Sequence, residues 1–353
     1  METKKVVEYI ENSFVSELLL DSNVTDISFN GKYVFYQHNY LGRQKYNGDV
    51  TNEMVQNFLR QLANLSEKQF SFQNPILDIS VDRYRLNAVH HSVARLSNNQ
   101  VYTFDLRIAK TEIIDLKKAG FINENVYNLL KVILENKQSI VIAGHTSSGK
   151  TELQKYLIKE MADNTRVIVI DNVLELDQVQ KTNEKIDLNN WLTSDTREDL
   201  SVQSLVKNAL RNNPDWLIVA ESRGKEMLDV LDSAMTGHPI ITTIHAQDSD
   251  SMIERMVEMV MMNDKKLQPN QIRKNIVSHI HFYVYLTIEE DENGSLVRYV
   301  SSIVYGDEDG IIREIYHNDR KKEKYEKMPQ RGRCLLKSNR NSLDLSKFLE
   351  VKR

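Results

Sequence analysis

The chain has 353 residues, 41% of them apolar and 27% charged, with a net charge of -4 and a mean hydropathy of -0.48. That length accommodates two globular domains, and no apolar run approaches the roughly 20 residues of a membrane-spanning helix. The one cysteine, Cys334, excludes an internal disulfide and a cysteine-cluster zinc site.

The opening Met1-Glu2-Thr3-Lys4-Lys5 leads into an amphipathic segment and not a secretory hydrophobic stretch, so a cytoplasmic protein is expected. Residues 5–20 carry helical periodicity. Val24–Phe29 and Tyr33–Tyr36 read as strands joined by a turn at Asn30-Gly31-Lys32. Asn52–Asn64 reads as a helix with Val55, Phe58, Leu59 and Leu62 on one face. Strands follow at Ile76–Val81, Arg83–Val89 and Tyr102–Ile108, so residues 1–108 form an α+β amino-terminal domain. Residues 109–120 are a charged linker ending at Gly120.

From 121 to 318 the pattern alternates. Strands are expected at 139–143, 166–170, 215–220 and 239–244, and helices at 124–134, 151–162, 201–211, 225–235 and 250–261. This predicts an α/β domain with crossover helices. Residues 319–353 form a basic tail, with twelve Lys or Arg and four Asp or Glu from Arg320 onward, a net +8. A solvated, partly disordered end is the plainer reading; contact with anionic lipid is the alternative. Tyr325 and Phe348 are too few aromatics for a base-stacking surface, and no specific nucleic acid partner is predicted.

The run Gly144-His145-Thr146-Ser147-Ser148-Gly149-Lys150-Thr151 fits G-x-x-x-x-G-K-[ST], the phosphate-binding loop of nucleoside triphosphatases. A strand before it and a helix after it would gather backbone N–H groups and a helix N-terminus around one anion. Lys150 then reaches the β- and γ-phosphates, and the Thr151 hydroxyl ligates Mg²⁺. Hydrolysis also needs a group to activate water and cations for the developing charge. Three later strands end near Glu175, Glu221 and His245, which supply candidates. Met252, Met256 and Met259 have the spacing of a buried helix face, and His90-His91 lacks a third metal ligand.

The segments GHTSSGKT, DNVLEL, LRNNPDWLIVAESRGKE and TGHPIITTIHA resemble, in order and spacing, the Walker A, Asp, Walker B and His boxes of the secretion traffic ATPases. These power type II and type IV secretion, conjugation and pili. LLLDSNVTDISFNG resembles the amino-terminal domain of the type IV secretion, conjugation and tight-adherence pilus branch. The absence of a tetracysteine module speaks against the type II branch that carries one. The resemblance implies an amino-terminal domain packed over a RecA-like ATPase domain, ATP and Mg²⁺ as ligands, and a homohexameric motor. It also implies inner-membrane partners from a secretion or pilus complex, and a place at the cytoplasmic face of the cell membrane. It assigns Glu175 as general base, Glu221 to Mg²⁺ and its water, His245 as γ-phosphate sensor and His238 as its upstream partner. Arg85 and Arg107 match arginines that reach the phosphates; their plainer reading is a cross-strand pair with Asp82 or Asp105. Arg223 and Arg211 are further candidates. Three positions depart from the family pattern: Ser147 and Ala220 stand where glycine is usual, and Asp171-Asn172 where Glu-Asp is usual. The turnover rate is therefore left open, and a nucleotide-binding scaffold or regulator with little turnover is the alternative.

Overall fold

A computed structural model describes residues 2–110, 113–172, 175–194, 197–263, 267–307, 310–339 and 342–349. Thr111 and Glu112 of the expected linker, Val173 and Leu174 of the Asp box, and 350–353 of the tail lie outside these residues. The chain forms two compact units: residues 1–112 with 290–297, and residues 113–289 with 298–353.

The first unit contains α1 (Glu2–Glu11), α2 (Ser16–Leu19), β1 (Val24–Phe29), β2 (Val34–His38), β3 (Gly42–Lys45), α3 (Asn52–Leu65), β4 (Ile76–Val81), β5 (Tyr84–Val89), the short β6 (Arg95–Leu96) and β7 (Asn99–Gln100), and β8 (Thr103–Ile108). Six strands form an antiparallel sheet in the order β3-β2-β1-β8-β5-β4. Alternation along each strand divides its faces. Ile27, Leu106, Leu86 and Ile79 are cross-strand neighbours, all buried with Val55, Phe58, Leu59 and Leu62 of α3. The intervening residues, among them Asp26, Arg107, Arg85 and Asp78, form a polar face, as expected for a sheet covered on one side. Thr51 caps α3 by accepting from the Met54 N–H.

The second unit contains α4 (Glu124–Glu135), β9 (Ile140–Gly144), α5 (Lys150–Lys159), β10 (Arg166–Asp171), α6 (Gln178–Thr182), β11 (Asp187–Leu192), α7 (Val202–Ala209), β12 (Trp216–Val219), α8 (Met227–Met235), β13 (Ile240–Ile244), α9 (Met252–Met261), α10 (Pro269–His279), β14 (Phe282–Glu290), β15 (Leu296–Gly306), β16 (Ile312–Asn318), β17 (Glu323–Tyr325) and α11 (Gln330–Leu335). Its nine-stranded sheet runs β11-β10-β12-β13-β9-β14-β15-β16-β17. The segment from β11 to β14 is parallel; β16 pairs antiparallel with both β15 and β17. The parallel strands read as unbroken apolar runs because both faces are covered. Ile140, Ile142, Val167 and Ile218 pack with α4 and α5; Val141, Ala143, Ile168 and Leu217 pack with α7 to α10. Met252, Met256 and Met259 are buried in that second core, as their spacing predicts.

The carboxyl-terminal segment corrects the expectation of a solvated tail. Met328, Leu336, Leu345 and Phe348 are buried in the core that holds α4. Three asparagines on or capping that helix bind the segment. Asn123 Nδ2 donates to the Tyr325 hydroxyl at 2.9 Å and to Glu323 at 2.7 Å, Asn128 Nδ2 to the Asp344 carbonyl at 3.2 Å, and Asn136 Nδ2 to the Ser338 carbonyl at 2.7 Å. Lys321, Lys322, Lys324, Lys327, Arg331, Lys337 and Lys347 stay exposed, so charge alone describes only the outer face of this segment.

Candidate active site

The loop 144–149 leaves the carboxyl end of β9 and feeds α5, so the first-turn N–H groups of that helix open toward it. Two positions there require glycine. A Cβ at Gly144 would lie 2.6 Å from the Leu286 carbonyl oxygen, and one at Gly149, at φ +95°, 2.7 Å from the Phe121 ring. Ser147, where sequence comparison expects glycine, adopts φ +62°. Its carbonyl accepts a hydrogen bond from Arg298 Nε at 2.7 Å.

Lys150 is buried, and its Nζ donates to the carbonyls of Gly144 at 2.9 Å and His145 at 2.8 Å. The ammonium thus sits inside the curve of the loop. The parallel register places the neighbouring strand ends at the same level: Ala143 opposes Ile244, and Val219 opposes Thr242. His245 and Glu221, each just past a strand, therefore meet. His245 Nε2 lies 3.0 Å from Glu221 Oε1, and Arg223 donates to Glu221 Oε2 at 2.8 Å. Burial raises the Glu221 pKa, but the Arg223 hydrogen bond and charge, with His245 and Lys150, outweigh it and hold the carboxyl below its ordinary value. Burial and the Lys150 charge push the His245 pKa down, against the pull of Glu221, so the ring is neutral at pH 7. The Asp171 carboxylate accepts from the Glu175 N–H at 3.0 Å and closes the turn Glu175–Asp177, which packs on α5. Glu175 itself is half-buried.

Not every predicted residue joins this group. His238 precedes β13 and His245 follows it, so a strand of five residues, about 16 Å, separates them. His238 instead contacts the Thr236 hydroxyl at 3.1 Å. Arg211 likewise lies before its strand, β12. Arg85 and Arg107 belong to the first unit, where they are direct cross-strand neighbours. Their acidic partners are Asp78 at 4.0 Å and Asp26 at 3.3 Å, and not Asp82 or Asp105.

The donor set suits a magnesium–triphosphate ligand. Ser148 Oγ is buried without a hydrogen-bond partner, and the Glu221 carboxylate is kept ionised by Arg223, His245 and Lys150. Among the described residues no group of three or more His, Cys, Asp or Glu converges on a metal position. A cation here would depend on a hydroxyl, one carboxylate, water and phosphate oxygens, which is the coordination Mg²⁺ favours.

A profile of the family described as Type II/IV secretion system protein matches residues 85–283. The chain belongs to the type II/IV secretion system protein family. An uncharacterized Bacillus anthracis relative is 28% identical over 85% of this chain and 70% of its own length. The type IV secretion system protein VirB11 of Brucella suis is 29% identical over 55% of this chain and 53% of its own length. The chain thus spans about half the length of that VirB11 relative. The X-ray structure of the Legionella pneumophila ATPase DotB shares the fold, with a TM-score of 0.61 at 19% identity over 80% of this chain and 78% of DotB.

Two loop supports in this secretion-family chain are silent in its sequence. Arg298 lies 151 residues from Ser147, within a strand that the periodicity did not separate from its surroundings. Phe121 sits at the boundary expected to be a linker end, yet it packs against Gly149. Neither follows a motif; only the bulk missing at Gly149 hints that something large approaches.

The depressed His245 pKa has a pH consequence. The unfolded chain takes up a proton near pH 6.5 that the folded chain resists, so acidification through that value favours unfolding. Thermal melting is expected to fall as pH drops below about 6.5, and to fall less steeply for His245→Gln. Equal slopes for the two proteins would refute the assignment.

Proposed function

We propose that the chain binds ATP with Mg²⁺ at Gly144–Thr151 and hydrolyses it, as the subunit of a homohexameric, RecA-like motor. The motor serves a type IV secretion or conjugation machine, or a related pilus. The observation that carries this reading is the meeting of Glu221, His245 and Arg223 beside the loop that encloses Lys150. The names of the VirB11 and DotB relatives support the same reading.

In this reading the loop N–H groups and Lys150 hold the phosphates, and Lys150 exchanges its loop carbonyls for phosphate oxygens. The Thr151 hydroxyl and Glu221 hold Mg²⁺, which when bound neutralises charge on the phosphates. Glu175 takes the proton of the attacking water, on a turn fixed by Asp171. Neutral His245 donates one ring N–H toward the γ-phosphate. Arg85 and Arg107 exchange Asp78 and Asp26 for phosphate oxygens. The exposed lysines at 321, 322 and 324 face anionic lipid at the cytoplasmic side of the membrane, where the inner-membrane partners reside.

Glu175→Gln is expected to lower kcat by about 10²–10⁴ with little change in ATP affinity. Measured phosphate release that is unaltered in this variant would overturn the role of Glu175. Asn172, which removes one charge from the Asp box, favours a second reading: a nucleotide-binding assembly scaffold. A single-turnover assay with radiolabelled ATP separates the two, since the scaffold binds without releasing phosphate.

A further inference from the structure

We propose that Arg298 is a positioning residue of the phosphate loop: its guanidinium holds Ser147 in the left-handed backbone conformation and so aims the loop N–H groups. The proposal rests on the nucleotide-binding reading above. Ser147 is the non-glycine residue of the loop at positive φ, +62°. For an L-residue with a side chain this conformation costs roughly 1–2 kcal/mol. Within the loop, Lys150 Nζ fixes the carbonyls of Gly144 and His145, which precede Ser147. His145, Thr146 and Ser147 are exposed, and the Ser148 N–H reaches the His145 carbonyl at a long 3.3 Å.

The offset comes from outside. Arg298 Nε donates to the Ser147 carbonyl at 2.7 Å, the short distance of a charge-assisted bond. The Arg298 stem crosses the loop, with Cδ 3.9 Å from where a Cβ on Gly149 would stand. Two residues on, the Val300 N–H donates to the Phe121 carbonyl at 2.9 Å, which anchors β15 beside the same loop. With the Ser147 carbonyl turned outward to the guanidinium, the adjoining N–H groups turn inward. Successive N–H groups about a left-handed residue form a concave anion site. Arg298 therefore does for Ser147 what a glycine would do without help.

The test is a double-mutant cycle read by titration of a fluorescent ATP analogue with Mg²⁺ into the full chain. Arg298→Met keeps the stem and removes the donor; it is expected to weaken binding about tenfold, because the competent loop becomes a minor population. Ser147→Gly supplies a background in which the backbone needs no outside support, and its own affinity is the baseline for the second arm of the cycle. In the Ser147→Gly background, Arg298→Met is expected to cost less than about threefold, a coupling that a general structural role would not produce. Arg298→Lys keeps the charge without the Nε donor and is expected to lose affinity as methionine does. Equal loss from Arg298→Met in both backgrounds, or full rescue by lysine, overturns the assignment while leaving the nucleotide reading intact. Failure of the unmutated chain to bind overturns both.

Discussion

Replacing Lys150 by alanine is expected to lower kcat/KM for ATP by about 10²–10³, the effect of removing one preorganised donor from charge that develops in a transition state. The loss should exceed that of any single change at the loop surface. Lys150 is the cation at the centre of the loop, and its field reaches both Glu221 and His245, whose pKa values it lowers. Without it the His245 pKa should rise toward its ordinary value, so the variant should also respond less to acid between pH 5 and 7. The fold should persist. Two bonds of Lys150 end on the loop carbonyls of Gly144 and His145, and the core strand Ile140–Gly144 stays paired to β13 and β14 on either side. Phosphate release and a melting curve on the same preparation check both parts. Unchanged kcat/KM in a folded variant would sink the ATPase reading at this loop.

Phe348→Ala is expected to destabilise the chain by about 3–5 kcal/mol, although it lies only five residues before Arg353. Phe348 is fully buried, edge-on to Tyr325 with ring centroids 5.5 Å apart. Its backbone carbonyl accepts from the Met328 N–H at 2.8 Å, so the ring and the main chain are fixed together. Truncation after residue 319 should do more harm, since it strips Met328, Leu336, Leu345 and Phe348 from the core around α4 at once. Urea unfolding measures the first effect. A cost below about 1 kcal/mol would mean that the segment is not part of the cooperative unit. Any membrane contact by this segment is therefore better examined by reversing charge at Lys321, Lys322 and Lys324, which are exposed, than by removing the segment.

The legible parts of this molecule were those where a local pattern and a tertiary demand coincide. The strand Val167–Ile170 is apolar because helices cover both its faces, and the same apolar run marks it in the sequence. Glycines 144 and 149 mark the loop because Leu286 and Phe121 leave no room for a Cβ. The carboxyl-terminal segment is hard to read because its twelve lysines and arginines outnumber its ten apolar residues, while the four that carry its burial, at 328, 336, 345 and 348, follow neither a helical nor a strand period. The partner acids of Arg85 and Arg107 depend on strand order: Asp78 and Asp26 become neighbours only through pairing that sequence distance does not reveal. His238 and His245 look adjacent in a motif, and an extended strand holds them apart.

The grouping of residues 290–297 with the first unit has a consequence for ancestry. The Leu296 N–H donates to the Tyr40 carbonyl at 2.8 Å, and its side chain lies 3.7 Å from the Cβ position of Gly42, so this short stretch completes a unit whose other residues all precede 113. The chain passes between the two units three times. A recombination event with one breakpoint near residue 112 would pair an amino-terminal half with a foreign 290–297 turn. A cut of the chain at residue 112 therefore does not yield the first unit whole, since the Leu296 contacts to Tyr40 and Gly42 stay with the other piece.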